Sequence, residues 1–196
     1  MALIKELDRT LPAYYTLSNQ KLILCAHVRD ETVFFYDQLG AHTTVVLLSQ
    51  PQCYGLKKIF LDLANDLGTT VIDLREPETF DPDYRLSDRS IQIICTLLAE
   101  QKFQHIITHP LYSADSDPQN RALTILVTEL VKRLKLSNHY TYNNIGLNGT
   151  PRLPCGIQEQ IIQLYCRVTA PSLELDTKLY TNYRAIASQI SGIRKL

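Results

Sequence analysis

Four short apolar runs, each too brief for a helix of its own, punctuate the first 110 residues with amphipathic stretches between them. They are Lys21-Leu22-Ile23-Leu24-Cys25-Ala26, Thr44-Val45-Val46-Leu47-Leu48, Thr70-Val71-Ile72-Asp73-Leu74 and His105-Ile106-Ile107-Thr108. A strand that is apolar at successive positions, with no polar alternation, buries both of its faces, as the strands of a parallel sheet do. Parallel neighbours need a crossover between them, and an amphipathic helix is the usual one.

The intervening segments have that helical period. Leu56, Ile59, Phe60, Leu63, Ala64 and Leu67 recur at i, i+3, i+4, i+7, and Gly68 follows as a C-terminal stop. Ile91, Ile94, Cys95 and Leu98 make a second stripe, with Ser87 and Asp88 available as caps. Leu123, Leu126, Val127, Leu130 and Leu134 make a third, opened by Pro118. Strands alternating with helices predict an α/β fold: a doubly wound, mainly parallel sheet of Rossmann-like type. With 196 residues and no linker-like tract, one domain over residues 1–196 is expected.

The texture changes after residue 138. Tyr140-Thr141-Tyr142 suits a fifth strand, residues 143–156 read as loop, and residues 162–168 alternate like a half-exposed strand. Leu175, Leu179, Tyr183, Ile186 and Ile190 trace one face of a predicted final helix.

Charge excludes several partners. Twenty Lys and Arg offset 20 Asp and Glu, which argues against nucleic acid and against an anionic membrane surface. The N-terminal residues Met1-Ala2-Leu3-Ile4-Lys5-Glu6 lack the apolar core of a signal peptide, so a cytoplasmic protein is expected. The five cysteines form no Cys-x-x-Cys pair, and Cys25, Cys95 and Cys166 sit in apolar runs as small hydrophobes.

Ligands of open α/β sheets sit beyond the carboxyl ends of the strands. The first strand ends in Ala26-His27-Val28-Arg29-Asp30-Glu31. The fourth ends in Thr108-His109-Pro110 and continues through Leu111-Tyr112-Ser113-Ala114-Asp115-Ser116-Asp117-Pro118-Gln119-Asn120-Arg121. Two His and three Asp on two such loops suit a metal site. Singly, Asp30 or Asp117 fits a helix N-cap better. Tyr112, Tyr140 and Tyr142 fall where a sugar ring would stack, although strand-end tyrosines more often pack. Residues 143–144 and the 146–156 loop are placed to cover such a site. No dinucleotide, P-loop or nucleophile-elbow motif occurs in the chain.

A strand followed by Ala-His-x-x-Asp-Glu and a helix resembles the LmbE-like, or PIG-L, family of zinc-dependent N-deacetylases, whose motif there is Ala-His-Pro-Asp-Asp-Glu. The family's second motif, His-Pro-Asp-His then Arg, is similar to Asp117-Pro118-Gln119-Asn120-Arg121. Leu86-Ser87-Asp88-Arg89, Ile107-Thr108-His109, and Lys178 with Ser188-Gln189 resemble further family segments in the same order. The resemblance implies that His27, Asp30 and Asn120 stand at the zinc-ligand positions. It puts Arg29 at the general-base position and Asp117 at that of an assisting His.

Those substitutions alter the chemistry. Arg, with a pKa above about 12, takes no proton from water near neutrality. Its charge also opposes a dication, and Asn is a weak neutral ligand. A replacement third ligand would come from His109 or Asp117, giving His27–Asp30–His109 or His27–Asp30–Asp117. Alternatively, Arg29 grips a carboxylate or phosphate, or forms a salt bridge with Asp30 or Asp117.

The leading expectation is a divergent family member with a degenerate zinc site, which keeps its pocket for a small sugar-like or anionic ligand at Arg29, His109, Asp115 and Tyr112, or runs chemistry without the usual metal; no resident cofactor is expected, zinc being the one the resemblance allows. The alternative is an active, zinc-dependent N-deacetylase of N-acyl amino-sugar or related amide substrates. A third is a structural subunit, acting through a homo-oligomer or a protein partner.

Overall fold

Strand β1 (Lys21–Cys25) lies inside a sheet whose strand order is β3-β2-β1-β4-β5-β6. The other strands are β2 (Thr43–Gln50), β3 (Thr70–Pro77), β4 (His105–Thr108), β5 (His139–Asn144) and β6 (Ile190–Lys195). The structure is a computed structural model that describes residues 21–27, 38–50, 54–100, 103–109, 117–144 and 190–195. β1 to β5 pair in parallel, and β6 runs antiparallel to β5. The expected doubly wound, mainly parallel α/β architecture is what the chain adopts.

Alternation of Cβ direction explains the continuous apolar runs. Leu22, Leu24 and Ala26 enter one core with Val46, Leu48 and Ile106; Ile23 and Cys25 enter a second core with Val45, Leu47 and Ile107. Helices cover both faces. Helix α1 (Tyr54–Asp66) contributes Phe60 and Ala64 to the second core. Helices α2 (Asp88–Glu100) and α3 (Pro118–Arg133) contribute Ile94, Leu98, Leu123 and Val127 to the first. Each fully buried aliphatic side chain supplies about 1.5–3 kcal/mol of transfer free energy. Among the described residues no helix is long and apolar enough to cross a membrane.

Helix ends follow local chemistry. α1 stops at Gly68, whose φ of +71° lets the Thr69 N–H reach back to the Ala64 carbonyl at 2.7 Å. A Cβ there would meet Ala41 only at ordinary contact distance, so the backbone angle, not space, requires glycine. α2 is capped by Ser87, whose Oγ accepts from the Ser90 N–H at 3.2 Å. α3 ends in a similar reversal, but the residue with positive φ (+55°) is Lys135.

Several expectations need correction. The buried face of α2 is Ile93, Ile94, Leu97 and Leu98, whereas Ile91 and Cys95 are half-buried. α2 packs against both the sheet and α3, which rotates its buried face from the single stripe that spacing suggests. Leu134 is the C-cap of α3 and 39 % exposed, and Val131 takes the buried place. Asn143 and Asn144 belong to β5 and not to a covering loop. Ile190 opens β6, so it is not the end of a helix, and Asn144 pairs with it. The 162–168 segment and Leu175 to Ile186 lie outside the described residues.

β3 carries a one-residue bulge. Its register with β2 passes from Leu47↔Asp73 to Ser49↔Glu76, and Arg75 sits at φ +61°. The Asp73 carboxylate accepts from the Arg75 N–H at 3.1 Å and pairs with Lys57. The extra residue re-aims the end of the strand.

Candidate functional site

The strand order reverses direction between β1 and β4, and the carboxyl ends of these two strands flank the crevice where such sheets bind ligands. His27 follows β1 there, 6 % exposed. Its Nε2 lies 2.9 Å from Asp117 Oδ2, and its Nδ1 lies 2.9 Å from Ser49 Oγ near the end of β2. Glu78, just beyond β3, brings Oε1 to 3.6 Å from the same Nδ1, with its side chain 1 % exposed.

Asp117 serves two purposes. As the N-cap of α3 its Oδ1 accepts from the backbone N–H groups of Gln119 (2.9 Å) and Asn120 (3.0 Å), and Pro118 occupies the first helical position. Its other oxygen faces His27. Burial alone would raise the Asp117 pKa. The hydrogen bond from His27, the Asn120 N–H, the charge of His27 and the Gln119 N–H together hold it below the ordinary carboxylate range.

Hydrogen-bond directions set the protons on His27. The Ser49 hydroxyl donates to the Ala26 carbonyl at 2.6 Å, so it accepts from His27 and Nδ1 carries a proton. Opposite, an ionised carboxylate is acceptor-only, so Nε2 carries a proton as well. His27 is therefore an imidazolium between Asp117 and Glu78. The order Ser49–His27–Asp117 has the composition of a nucleophilic triad but not its chemistry. Ser49 is 0 % exposed and its proton is committed to a carbonyl, so it is not poised for attack.

A zinc centre of the family's kind would draw on His27 Nε2, which faces Asp117 here, and on Asp30, which lies outside the described residues. A metal at Nε2 would have to displace both its proton and Asp117. Among the described residues no group of three His, Cys, Asp or Glu side chains converges as a metal-holding set. Asn120 lies in the first turn of α3, and its Oδ1 is buried with no hydrogen-bond partner among the described residues. It offers an acceptor to a bound molecule.

Of the residues expected from sequence, the structure brings His27 and Asp117 together and places Asn120 on the same turn as Asp117. His109 is buried directly after β4. Arg29, Asp30, Tyr112 and Asp115 lie outside the described residues. Three contributors escaped sequence reasoning: Ser49, Glu78 and Gln119. The signal for Ser49 and Glu78 was topological, because β2 and β3 end on the same side of the sheet as β1 and β4, whereas Gln119 lies inside the segment compared with the second family motif. A cleft of about 650 Å³ lies apart from this group, between α1 and β3, lined in part by Lys57, Asp73 and Arg75.

Solved structures that share this architecture include the following three. An N,N'-diacetylchitobiose deacetylase from Pyrococcus horikoshii superposes with a TM-score of 0.61 at 15 % identity, covering 100 % of this chain and 91 % of that one. The chain has an LmbE-like fold. The conserved protein TT1542 from Thermus thermophilus matches the LmbE-like chain with a TM-score of 0.55 at 12 % identity, over 90 % of this chain and 94 % of that one. GalB, the 4-carboxy-2-hydroxymuconate hydratase from Pseudomonas putida, gives 0.51 at 13 % identity, over 90 % and 96 %. No family model matches the sequence, and no curated protein matches it. One of these structural relatives is a deacetylase and another a hydratase, so the LmbE-like fold alone does not assign a reaction.

Proposed function

We propose that this chain is a ligand-binding protein of LmbE-like fold, whose degenerate pocket has given up metal-dependent deacetylation. The observation that carries the reading is the occupation of His27: Asp117 takes Nε2 and Ser49 takes Nδ1, so zinc at the ring would have to displace a proton and a built-in partner. Asp117 stands at the position of the family's assisting His, and there it converts a metal ligand into the cationic half of an ion pair. Arg29, at the general-base position, is unable to deprotonate water and suited to gripping a carboxylate or phosphate.

The ligand is a small anionic or sugar-like molecule. Arg29 would hold an acidic group, and the buried Asn120 Oδ1 would accept from a hydroxyl or amide N–H. His109, Asp115 and Tyr112 complete the proposed contacts. The reading includes a cytoplasmic location, and a homo-oligomer or protein partner in place of nucleic acid or membrane.

Metal analysis of the purified protein, before and after incubation with zinc, tests it directly. Substoichiometric zinc and no hydrolysis of N-acetyl amino sugars are expected. Stoichiometric zinc that is lost in His27→Ala overturns the reading in favour of an active, metal-dependent N-deacetylase built on His27, Asp30 and a recruited third ligand.

A further inference from the structure

We propose that Gln119 is the positioning residue of this site: through one side-chain amide it fixes the main chain on both sides of Glu78 and so holds that carboxylate against His27. Gln119 is 0 % exposed. Its Nε2 donates to the Pro77 carbonyl at 3.1 Å, and its Oε1 accepts from the Thr79 N–H at 3.2 Å. These two groups bracket Glu78, whose Oε1 lies 3.6 Å from His27 Nδ1. Pinning both neighbours restrains the backbone at residue 78, and with it the direction in which the side chain leaves the chain.

The same helix turn thus acts on both ring nitrogens. Asp117 touches Nε2 directly, and Gln119, two residues on, acts at Nδ1 through the segment that follows β3. A primary amide suits this task because it offers a donor and an acceptor on one planar group. Glu would set an anion against the Pro77 carbonyl, Met would make neither bond, and Asn is one methylene too short to make both. The segment carries a further restraint upstream, where the Glu76 carboxylate accepts from Ser87 and Ser90. Main chain on both sides of Glu78 is therefore tied to a helix start, Glu76 to α2 and Pro77 and Thr79 to α3. The inference deepens the proposed function and rests on its reading of His27 as a ring held at both nitrogens by the chain's own groups.

Imidazole ¹H–¹⁵N spectra of histidine-labelled protein at one fixed pH test it, with His27→Gln assigning the ring. Gln119→Asn and Gln119→Met should each displace the His27 Nδ1 resonance in the direction that Glu78→Gln displaces it. The His139 ring, held by Thr108, should not move. A folded Gln119→Asn protein with unmoved His27 resonances, beside a Glu78→Gln protein in which they move, overturns the proposal. So does a Glu78→Gln protein in which they stay. If the Met variant does not fold, the Asn variant, which keeps a buried amide, carries the test. Zinc analysis of the same samples is a separate arm: stoichiometric zinc would overturn the proposed function, whereas the Gln119 proposal stands or falls on the spectra.

Discussion

Asp117 Oδ2 lies 2.9 Å from His27 Nε2, joining residues 90 apart in sequence across the point where the sheet reverses its strand order. The two groups are mostly buried, with side-chain exposures of 8 % and 14 %. Removing one partner from such a pair costs more than the pair contributes, because the remaining charge stays desolvated.

Asp117→Ala should therefore destabilise the fold by about 3 kcal/mol, combining a lost N-cap worth about 1 kcal/mol with an unpaired imidazolium. Asp117→Asn keeps the cap and loses only the charge, so it should cost clearly less. Urea unfolding measures both. An Asn variant as stable as wild type would show that the carboxylate acts as a cap alone, and adding His27→Ala to Asp117→Ala should recover part of the loss.

His139 gives a pH dependence of defined sign. Burial lowers its pKa from 6.5 to about 4, and Thr108 Oγ1 lies 2.8 Å from its Nε2. Between those values the unfolded chain binds a proton that the folded chain does not. Stability contributed here is complete above about pH 6.5, falls as the pH drops, and levels off below about 4. The loss is on the order of 2 kcal/mol, allowing for residual solvation of the ring. In unfolding curves across this range His139→Gln should be less steep than wild type; parallel curves would remove His139 from the account.

Lys135 holds a left-handed backbone angle that glycine adopts without steric cost. Lys135→Gly should raise stability by up to about 1 kcal/mol and lift Tm by several degrees. The reverse change at the matching place on α1, Gly68→Ala, should lower it by a similar amount. Thermal unfolding of the two variants checks both directions.

Metal binding should be recoverable. Arg29→Asp, Asp117→His and Asn120→His together return the family's residues to the general-base, assisting-His and third-ligand positions and release His27 Nε2 from its carboxylate partner. The triple variant is expected to take up zinc stoichiometrically in calorimetric titration. If it folds and takes up none, the correspondence between these positions and the family's zinc motif is wrong.

Much of the architecture was legible because strands buried on both faces leave a local mark. The runs at Leu22, Val45 and Ile106 could be recognised from composition and length alone, and Gly68 and Pro118 marked helix boundaries through their own backbone preferences. Arg75 and Lys135 could not be read this way, since nothing in an Arg or a Lys announces positive φ. β6 was hidden for another reason: Ile190-Ser191-Gly192-Ile193-Arg194-Lys195 has neither a continuous apolar run nor clean alternation. Its place comes from pairing with β5.

The amino-acid sequence by itself determined the alternation of strand and helix, hence a parallel sheet with two cores. It also placed His27 and Asp117 beyond strands β1 and β4, because both effects act within a few residues. Only the tertiary structure decided that Asp117 faces His27 Nε2, that Ser49 gives its proton to Ala26 and leaves Nδ1 protonated, and that Gln119 brackets Glu78. These contacts join residues 22 to 90 positions apart. Which atoms meet at such separations depends on strand order, register and the bulge at Arg75, and none of these is encoded in a local pattern.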